Sequence, residues 1–353
     1  MSEIKIKVNE EKRKIVKSAL KNMQKDFGKA SVDFYADMDG SVDVDRFSTG
    51  IVSVDLALGG GLARGDFSEV YGKPSVGKTT LMLSIIGHLQ RRGLICAFID
   101  VEQDFDPDWA KKNGVILDDL LISQPDSLEQ ALTIAEGLIK TGAVYFVGVD
   151  SLASLTPQDV IDRPLSKDTV GLRARKLAQF FDKNRSFVRR SKTHVMFTNQ
   201  WRESPDMFVK SDSPGGWSGK HTFGIRIEVW KANKDLIMDG DEPIAIKSHI
   251  TVIKNKIGAP YRKADFRVDF LSGVNYEFDL IEHAEQFGII EKSGTWYKKD
   301  GKTLAQGENN LIALLKVEKE LYNELDIEVR KLLGIFSGNV EGGIAQDAIE
   351  SSE

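Results

Sequence analysis

The stretch Gly72-Lys73-Pro74-Ser75-Val76-Gly77-Lys78-Thr79, continued by Thr80, constrains this chain more than any other part of it. It reads G-x-x-x-x-G-K-T and stands between an apolar strand-like run, Phe67 to Tyr71, and an apolar helical run, Leu81 to Leu89. Strand, glycine-rich loop and helix in that order make a phosphate site at the strand's carboxyl end. Glycines let the backbone curl so that successive N–H groups face an anion, and the helix adds its positive N-terminal end. Lys78 would reach the β- and γ-phosphates of a nucleoside triphosphate, and the Thr79 hydroxyl would help hold Mg²⁺. The bland alternative, a glycine-rich turn with an incidental lysine, sits poorly with those flanking elements.

A chain of 353 residues can bury one large core with one or two small satellites. The single cysteine, Cys96, excludes an intrachain disulfide, fits a reducing compartment and lies in an apolar run where it reads as a small core residue. The opening MSEIKIKVNEEKRK lacks the apolar centre of a secretory leader, and no run approaches a membrane span, so a cytoplasmic protein is expected. The five histidines are scattered, and one cysteine cannot complete a zinc site. With a net charge of −5, any attraction to nucleic acid must come from local patches.

The chain divides into four stretches. Residues 1–39 hold a basic amphipathic helix, about 10–28, whose apolar stripe is Val16, Leu20, Met23 and Phe27. Its periodicity suits packing on a neighbouring subunit or on its own domain equally. Residues 40–273 alternate strand-like runs (Phe67–Tyr71, Leu94–Val101, Tyr145–Val149, His194–Thr198) with helical patterns (Thr79–Arg92, Leu128–Lys140, Leu172–Arg190). Buried strands joined by helices predict an α/β layer with a largely parallel sheet. Asp126, three residues before Glu129, predicts the cap of the second helix. Later strands are expected at Ile225–Trp230 and His249–Ile253. Residues 274–336 read as a small α+β domain with helical pieces at Asp279–Phe287 and Leu311–Glu320 around the basic aromatic patch Trp296–Lys302. Residues 337–353 read as an acidic disordered tail.

Ligands bind at one edge of such a sheet, so strand ends carry the chemistry. Tyr145–Ser151 is an apolar strand closing on Asp150 and Ser151, an arrangement that positions Mg²⁺ or its water shell. Phe98-Ile99-Asp100-Val101-Glu102 also ends in acids, and hydrolysis needs a carboxylate to activate water. Glu102 is the candidate, with Asp100 its competitor. Asn199-Gln200 closes a third strand with an amide able to sense a γ-phosphate. Two loops follow strands, about 162–171 and 201–217, and the longer lacks any periodicity. Beside them, the helix from Leu172 carries Arg173, Arg175, Lys176, Lys183, Arg185, Arg189, Arg190 and Lys192 against one acid, Asp182. Such a face is either a nucleic-acid backbone track or a solvated helix side.

These residues together resemble the bacterial RecA recombinases. The resemblance rests on the phosphate loop, Phe98-Ile99-Asp100 with Glu102, Gln124-Pro125-Asp126, Val149-Asp150-Ser151, Asn199-Gln200 and Lys254-Asn255-Lys256-Ile257-Gly258-Ala259-Pro260, and runs from about residue 10 to 335. It implies a P-loop NTPase core with a mostly parallel central sheet, an N-terminal oligomerisation helix and a small α+β C-terminal domain. The implied function is ATP-dependent homologous recombination and repair: a helical homo-oligomeric filament on single-stranded DNA that pairs it with homologous double-stranded DNA and hydrolyses ATP when DNA is bound. Accessory recombination proteins would be further partners, and no membrane is involved.

The resemblance also implies roles. Residues 72–80, Asp150 and Ser151 would hold ATP and Mg²⁺, with Thr79 and Asp150 on the metal. Glu102 would activate water and Gln200 would sense the γ-phosphate. Asp106 and Trp109 would flank the adenine, Trp109 standing where tyrosine is usual. Lys254 and Lys256 would reach the neighbouring subunit's γ-phosphate, with Pro260 near that nucleotide. Val170, Arg175, Arg202, Gly215, Gly216 and Trp217 would contact DNA. Among the departures, Asp182 replaces a DNA-contacting arginine, His249 and Thr251 replace basic residues of the duplex-holding site, and His221 replaces an aromatic residue. They point to a divergent member, bacterial or phage. Rival functions are a ring-forming helicase motor on the same core, a non-catalytic ATP-switched filament module and, more weakly, a small-molecule kinase.

Overall fold

The computed structural model describes residues 10–27, 32–34, 44–162, 171–201 and 221–334. Contacts divide the chain after Asp45 into an N-terminal unit and a main unit. In the first, helix α1 (Glu10–Phe27) folds back on residues 32–34. Gln24 Nε2 donates to Val32 O at 2.8 Å and Asp33 Oδ2 at 3.1 Å, and the Arg13 guanidinium lies 4.7 Å from the Phe34 ring. Of the expected stripe only Leu20 is buried; Val16, Met23 and Phe27 are exposed, as is Ile15.

The main unit opens with β1 (Arg46–Phe47), α2 (Val52–Leu58) and β2 (Leu62–Ala63), β1 pairing with β2. The parallel layer follows: β3 (Phe67–Gly72), α3 (Lys78–Gln90), β4 (Cys96–Asp100), α4 (Pro107–Lys112), β5 (Leu120–Ser123), α5 (Leu128–Thr141), β6 (Phe146–Asp150), α6 (Gln158–Ile161), α7 (Leu172–Ser191), β7 (His194–Gln200) and β8 (Ile225–Trp230). An antiparallel extension is made by β9 (Leu236–Asp239), β10 (Glu242–Asn255), β11 (Lys263–Asp269) and β12 (Gly273–Val274). The strand order is β12-β11-β10-β8-β3-β7-β6-β4-β5, with β9 on β10, and strands from β8 to β5 run parallel. The chain is therefore α/β with a mostly parallel central sheet.

Burial explains the layer. Every residue of β3, β4 and β6 is buried, as expected of strands covered on both faces. Helix α3 is buried nearly all round, from Thr80 to Gln90, and packs one face of the sheet. On the other face an aromatic cluster of Phe67, Phe180, Phe181, Phe197 and Phe223 clamps α7, Phe67 and Phe181 meeting edge to face at 5.2 Å. The cap of α5 is Ser127 rather than Asp126. Its hydroxyl accepts from Gln130 N at 3.3 Å, while the amide of Asp126, the residue before the cap, donates to Gln130 Oε1 at 2.9 Å.

The C-terminal part holds helices Tyr276–Gln286, Glu308–Val317 and Lys319–Leu332 around a three-stranded antiparallel sheet, Glu291–Ser293, Trp296–Lys299 and Lys302–Gln306. The expected basic patch is a hairpin, with Tyr297 buried and Lys299 tied to Glu324 at 2.9 Å and Glu328 at 3.1 Å. The expected helix Leu311–Glu320 is two helices broken at Glu318. This part is bolted to α2 by a buried charge network. Arg330 Nη1 donates to Asp55 Oδ2 at 2.7 Å and its Nε to both oxygens of Asp326 at 2.8 Å. Asp55 also accepts from Thr49 N at 2.8 Å and from the Ser48 and Thr49 hydroxyls. No helix among the described residues is long and apolar enough to cross a membrane.

Candidate active site

The phosphate loop leaves the carboxyl end of β3 between β7 and β8. Gly72 pairs with Gln200 on β7 and with Val229 on β8, so tightly that a Cβ at Gly72 would sit 2.1 Å from Val229 O. Gly77, at φ 99°, caps α3 in the left-handed region that favours glycine. The amino end of α3, with Lys78 and Thr79 in its first turn, thus points at the loop's concavity.

Around it the sheet brings the expected chemistry together. Lys78 Nζ donates to Lys73 O at 2.9 Å, and burial pulls the Lys78 amine below its ordinary value against the pull of Asp150 and Glu102. Thr79 Oγ1 donates to Asp150 Oδ2 at 2.5 Å, and the Thr198 hydroxyl donates to Asp150 Oδ1. Burial raises the Asp150 carboxyl, which those two hydroxyls partly offset. The donor set suits a magnesium triphosphate: a cation, a helix amino end, a hydroxyl and a buried carboxylate. Thr198 is a member that sequence reasoning missed, since a threonine within an apolar strand carries no signal of its own.

Burial sets the two candidates Asp100 and Glu102 apart. Asp100 is fully buried, whereas Glu102 is exposed beyond the end of β4. The Glu102 Oε1 accepts from the Ser151 hydroxyl and from Ser154 Oγ at 2.8 Å. Ser151, expected on the cofactor, thus also reaches Glu102, and Ser154, which the sequence did not single out, joins it. Trp109 Nε1 donates to Thr80 Oγ1 at 3.3 Å, which ties the expected base-stacking ring to α3. Asp106 caps α4, its Oδ1 accepting from Asp108 N at 2.9 Å and Trp109 N at 3.1 Å.

Gln200 ends β7 beside Gly72, and the next amide, Trp201 N, donates to Gly72 O at 3.0 Å. The Lys73 ammonium lies 5.0 Å from the Trp201 ring, over a cavity of about 270 Å³ between the loop and β8. The start of the long loop thus touches the phosphate loop directly. Behind it, buried Glu69 accepts from Asn199 Nδ2 at 2.8 Å and Arg226 Nε at 2.6 Å.

Lys254 and Lys256, at the end of β10 and just past it, donate to His221 O at 3.1 and 3.3 Å. They stand by the far end of the same long loop. Burial first, then Lys256 and Arg226, lower the Lys254 amine to about 8. Pro260 is exposed on the turn between β10 and β11. Arg175 is exposed on the first turn of α7, but neighbouring cations are partly neutralised by acids: Lys176 pairs with Glu129 and lies 4.0 Å from Asp159, and Lys183 lies 2.8 Å from Glu136. His249 stacks on Trp230 at 4.3 Å, between Asp265 at 2.6 Å and Asp235 at 2.9 Å. Val170, Arg202, Gly215, Gly216 and Trp217, and the acidic tail, lie outside the described residues.

Comparison with known proteins finds matches along nearly the whole chain. The family model of the RecA N-terminal domain matches residues 14–275, and that of the RecA C-terminal domain matches residues 278–334. The chain is 39% identical to Protein RecA of Methylococcus capsulatus over 327 residues, 92% of this chain and 94% of that one. It is 38% identical to Protein RecA of Clostridioides difficile over 348 residues, 97% of this chain and 99% of that one. Protein RecA of Bordetella pertussis is 38% identical over 330 residues, 93% of each chain.

Proposed function

The chain belongs to the RecA family, and from that premise we propose that it is a recombinase and DNA-dependent ATPase. It assembles as a helical filament on single-stranded DNA, pairs that strand with homologous duplex, and completes its hydrolytic site between subunits. The observation that carries this reading is the contact of the long loop's first residue with the phosphate loop, Trp201 N to Gly72 O at 3.0 Å, beside Gln200. A change of charge at the phosphates has a short physical route to a loop that grips DNA.

In this mechanism the α3 amino end and Lys78 bind the triphosphate, and Trp109 and Asp106 flank the base. Mg²⁺, held by Thr79 and through water by Asp150, would neutralise charge on the phosphate oxygens. Glu102, oriented by Ser151 and Ser154, takes the proton from the attacking water. Gln200 reports the γ-phosphate to the loop. Lys254, Lys256 and Pro260 act on the neighbour's nucleotide, in keeping with their position at His221 rather than at their own phosphate loop. Such a site is incomplete in the lone subunit, which accounts for stimulation by DNA. The exposed stripe of Ile15, Val16, Met23 and Phe27 suits helix α1 to packing on the adjacent subunit. DNA contacts fall to Arg175 and to Val170, Arg202, Gly215, Gly216 and Trp217.

The test is an ATPase assay with and without single-stranded DNA, paired with electron microscopy in ATP. Strong stimulation and helical filaments are expected, and binding should weaken steeply with salt. Turnover indifferent to DNA, without polymers, would reject the reading.

The Lys254 amine adds a pH dependence. It is charged below about 8 and neutral above, so its hold on a γ-phosphate is lost as pH rises. The DNA-stimulated kcat/KM, which reports the nucleotide-free protein, should fall through that range. Lys254→Arg should flatten the alkaline fall, because arginine keeps its charge. An unchanged profile in the variant would remove Lys254 from this role.

A further inference from the structure

Gln124-Pro125-Asp126 follows β5, the edge strand beside β4, and Ile99 pairs with Ser123, so Gln124 stands level with Asp100. Asp100 is fully buried. Its Oδ2 accepts from Gln124 Nε2 at 2.9 Å and from Phe105 N at 3.1 Å, while its Oδ1 is buried with no hydrogen-bond partner. A buried carboxylate half-satisfied in this way opposes folding, so packing does not explain it. What it does is close a turn. Val101 N donates to Asp150 O at 2.7 Å at the entry, and the Phe105 ring rests 5.4 Å from Phe98 at the exit. Between these anchors Gln103 has φ 56°, a left-handed conformation that a side-chain-bearing residue keeps only when its surroundings impose it. Glu102 is the residue immediately before it.

We propose that Gln124 and Asp100 are positioning residues for hydrolysis: Gln124 fixes the Asp100 carboxylate, Asp100 grips the Phe105 amide, and the closed turn aims Glu102. Both roles rest on Glu102 being the base. The Ser151 and Ser154 hydroxyls hold the tip of Glu102, and the brace holds its backbone. Neither positioning residue touches the nucleotide.

The test uses the full chain with single-stranded DNA and ATP, comparing Gln124→Ala, Glu102→Gln and the double variant. Misaiming a base by about an ångström costs on the order of 100-fold, so Gln124→Ala should lower kcat by about 10- to 100-fold. KM for ATP should stay put, since Gln124 does not touch the nucleotide, and the small fall in melting midpoint from the donor lost to Asp100 should be the same with or without Glu102. In the Glu102→Gln background the same change should cost nothing further, since the group being aimed is gone. Gln124→Glu sets two carboxylates together. Its kcat should fall at least as far as that of Gln124→Ala, because the like charge pushes Asp100 away instead of fixing it. Wild-type kcat in Gln124→Ala, an equal loss in both backgrounds, or a loss that tracks the melting midpoint would overturn the proposal. Normal turnover by Glu102→Gln would instead sink the assignment of the base, whatever Gln124 does.

Discussion

Glu102→Gln is expected to lower DNA-stimulated ATP turnover by about 10²–10⁴-fold while leaving nucleotide binding and filament formation in place. The amide matches the carboxylate in shape and can still accept from the Ser151 and Ser154 hydroxyls, so the local hydrogen bonds survive. What is lost is the ability to take a proton from water. Phosphate release with single-stranded DNA gives the rate, and quenching of Trp109 fluorescence by nucleotide gives the binding, that ring being tethered to Thr80 at 3.3 Å. Turnover near the wild-type rate would remove Glu102 from the chemistry. Asp100 is a poor substitute, since it is sealed from solvent and committed to Gln124 and Phe105.

The largest effect on stability is expected from Arg330→Leu. Burial works against the Arg330 charge, but Asp55 and Asp326 outweigh it and hold the guanidinium above its ordinary range. Removing the arginine leaves Asp55, 1% exposed, without its counter-ion beneath the C-terminal helices. Breaking a buried pair from one side typically costs about 3–5 kcal/mol. Urea unfolding followed by far-UV circular dichroism should show a loss of that order. Limited proteolysis should cut first in the region after Val274. Asp55→Leu combined with Arg330→Leu should recover part of the loss, because the orphaned charge is gone. A midpoint unmoved in Arg330→Leu would mean that the network is ornamental to the fold.

Legibility in the sequence followed burial. Strands β3, β4, β6 and β7 were readable because two-sided cover demands unbroken apolar runs, and their acidic or amide ends marked the site edge. Strand β5 was hidden because Leu121 and Ile122 stand exposed at the rim, where a four-residue run gives no period to read. Strand β10 runs from Glu242 to Asn255, far beyond the expected His249–Ile253, since its half-covered ends mix charge with apolar residues. Asp100 and Glu102, two residues apart on one strand end, look alike in composition; only the solvent boundary shows that one is sealed and the other open. Ser154, Thr198 and the Asp55–Arg330 pair join distant parts of the chain, and no local pattern announces such meetings.

The seat of Gly72 against Val229 has a mechanical consequence. Gly72 leaves no room for a side chain beside β8, and β8 is in turn hydrogen-bonded to β10. Two strand spacings, about 10 Å, separate the phosphate loop's strand from the one that carries Lys254. In the proposed filament this short ladder would link one protomer's fuel to the rim assigned to its neighbour.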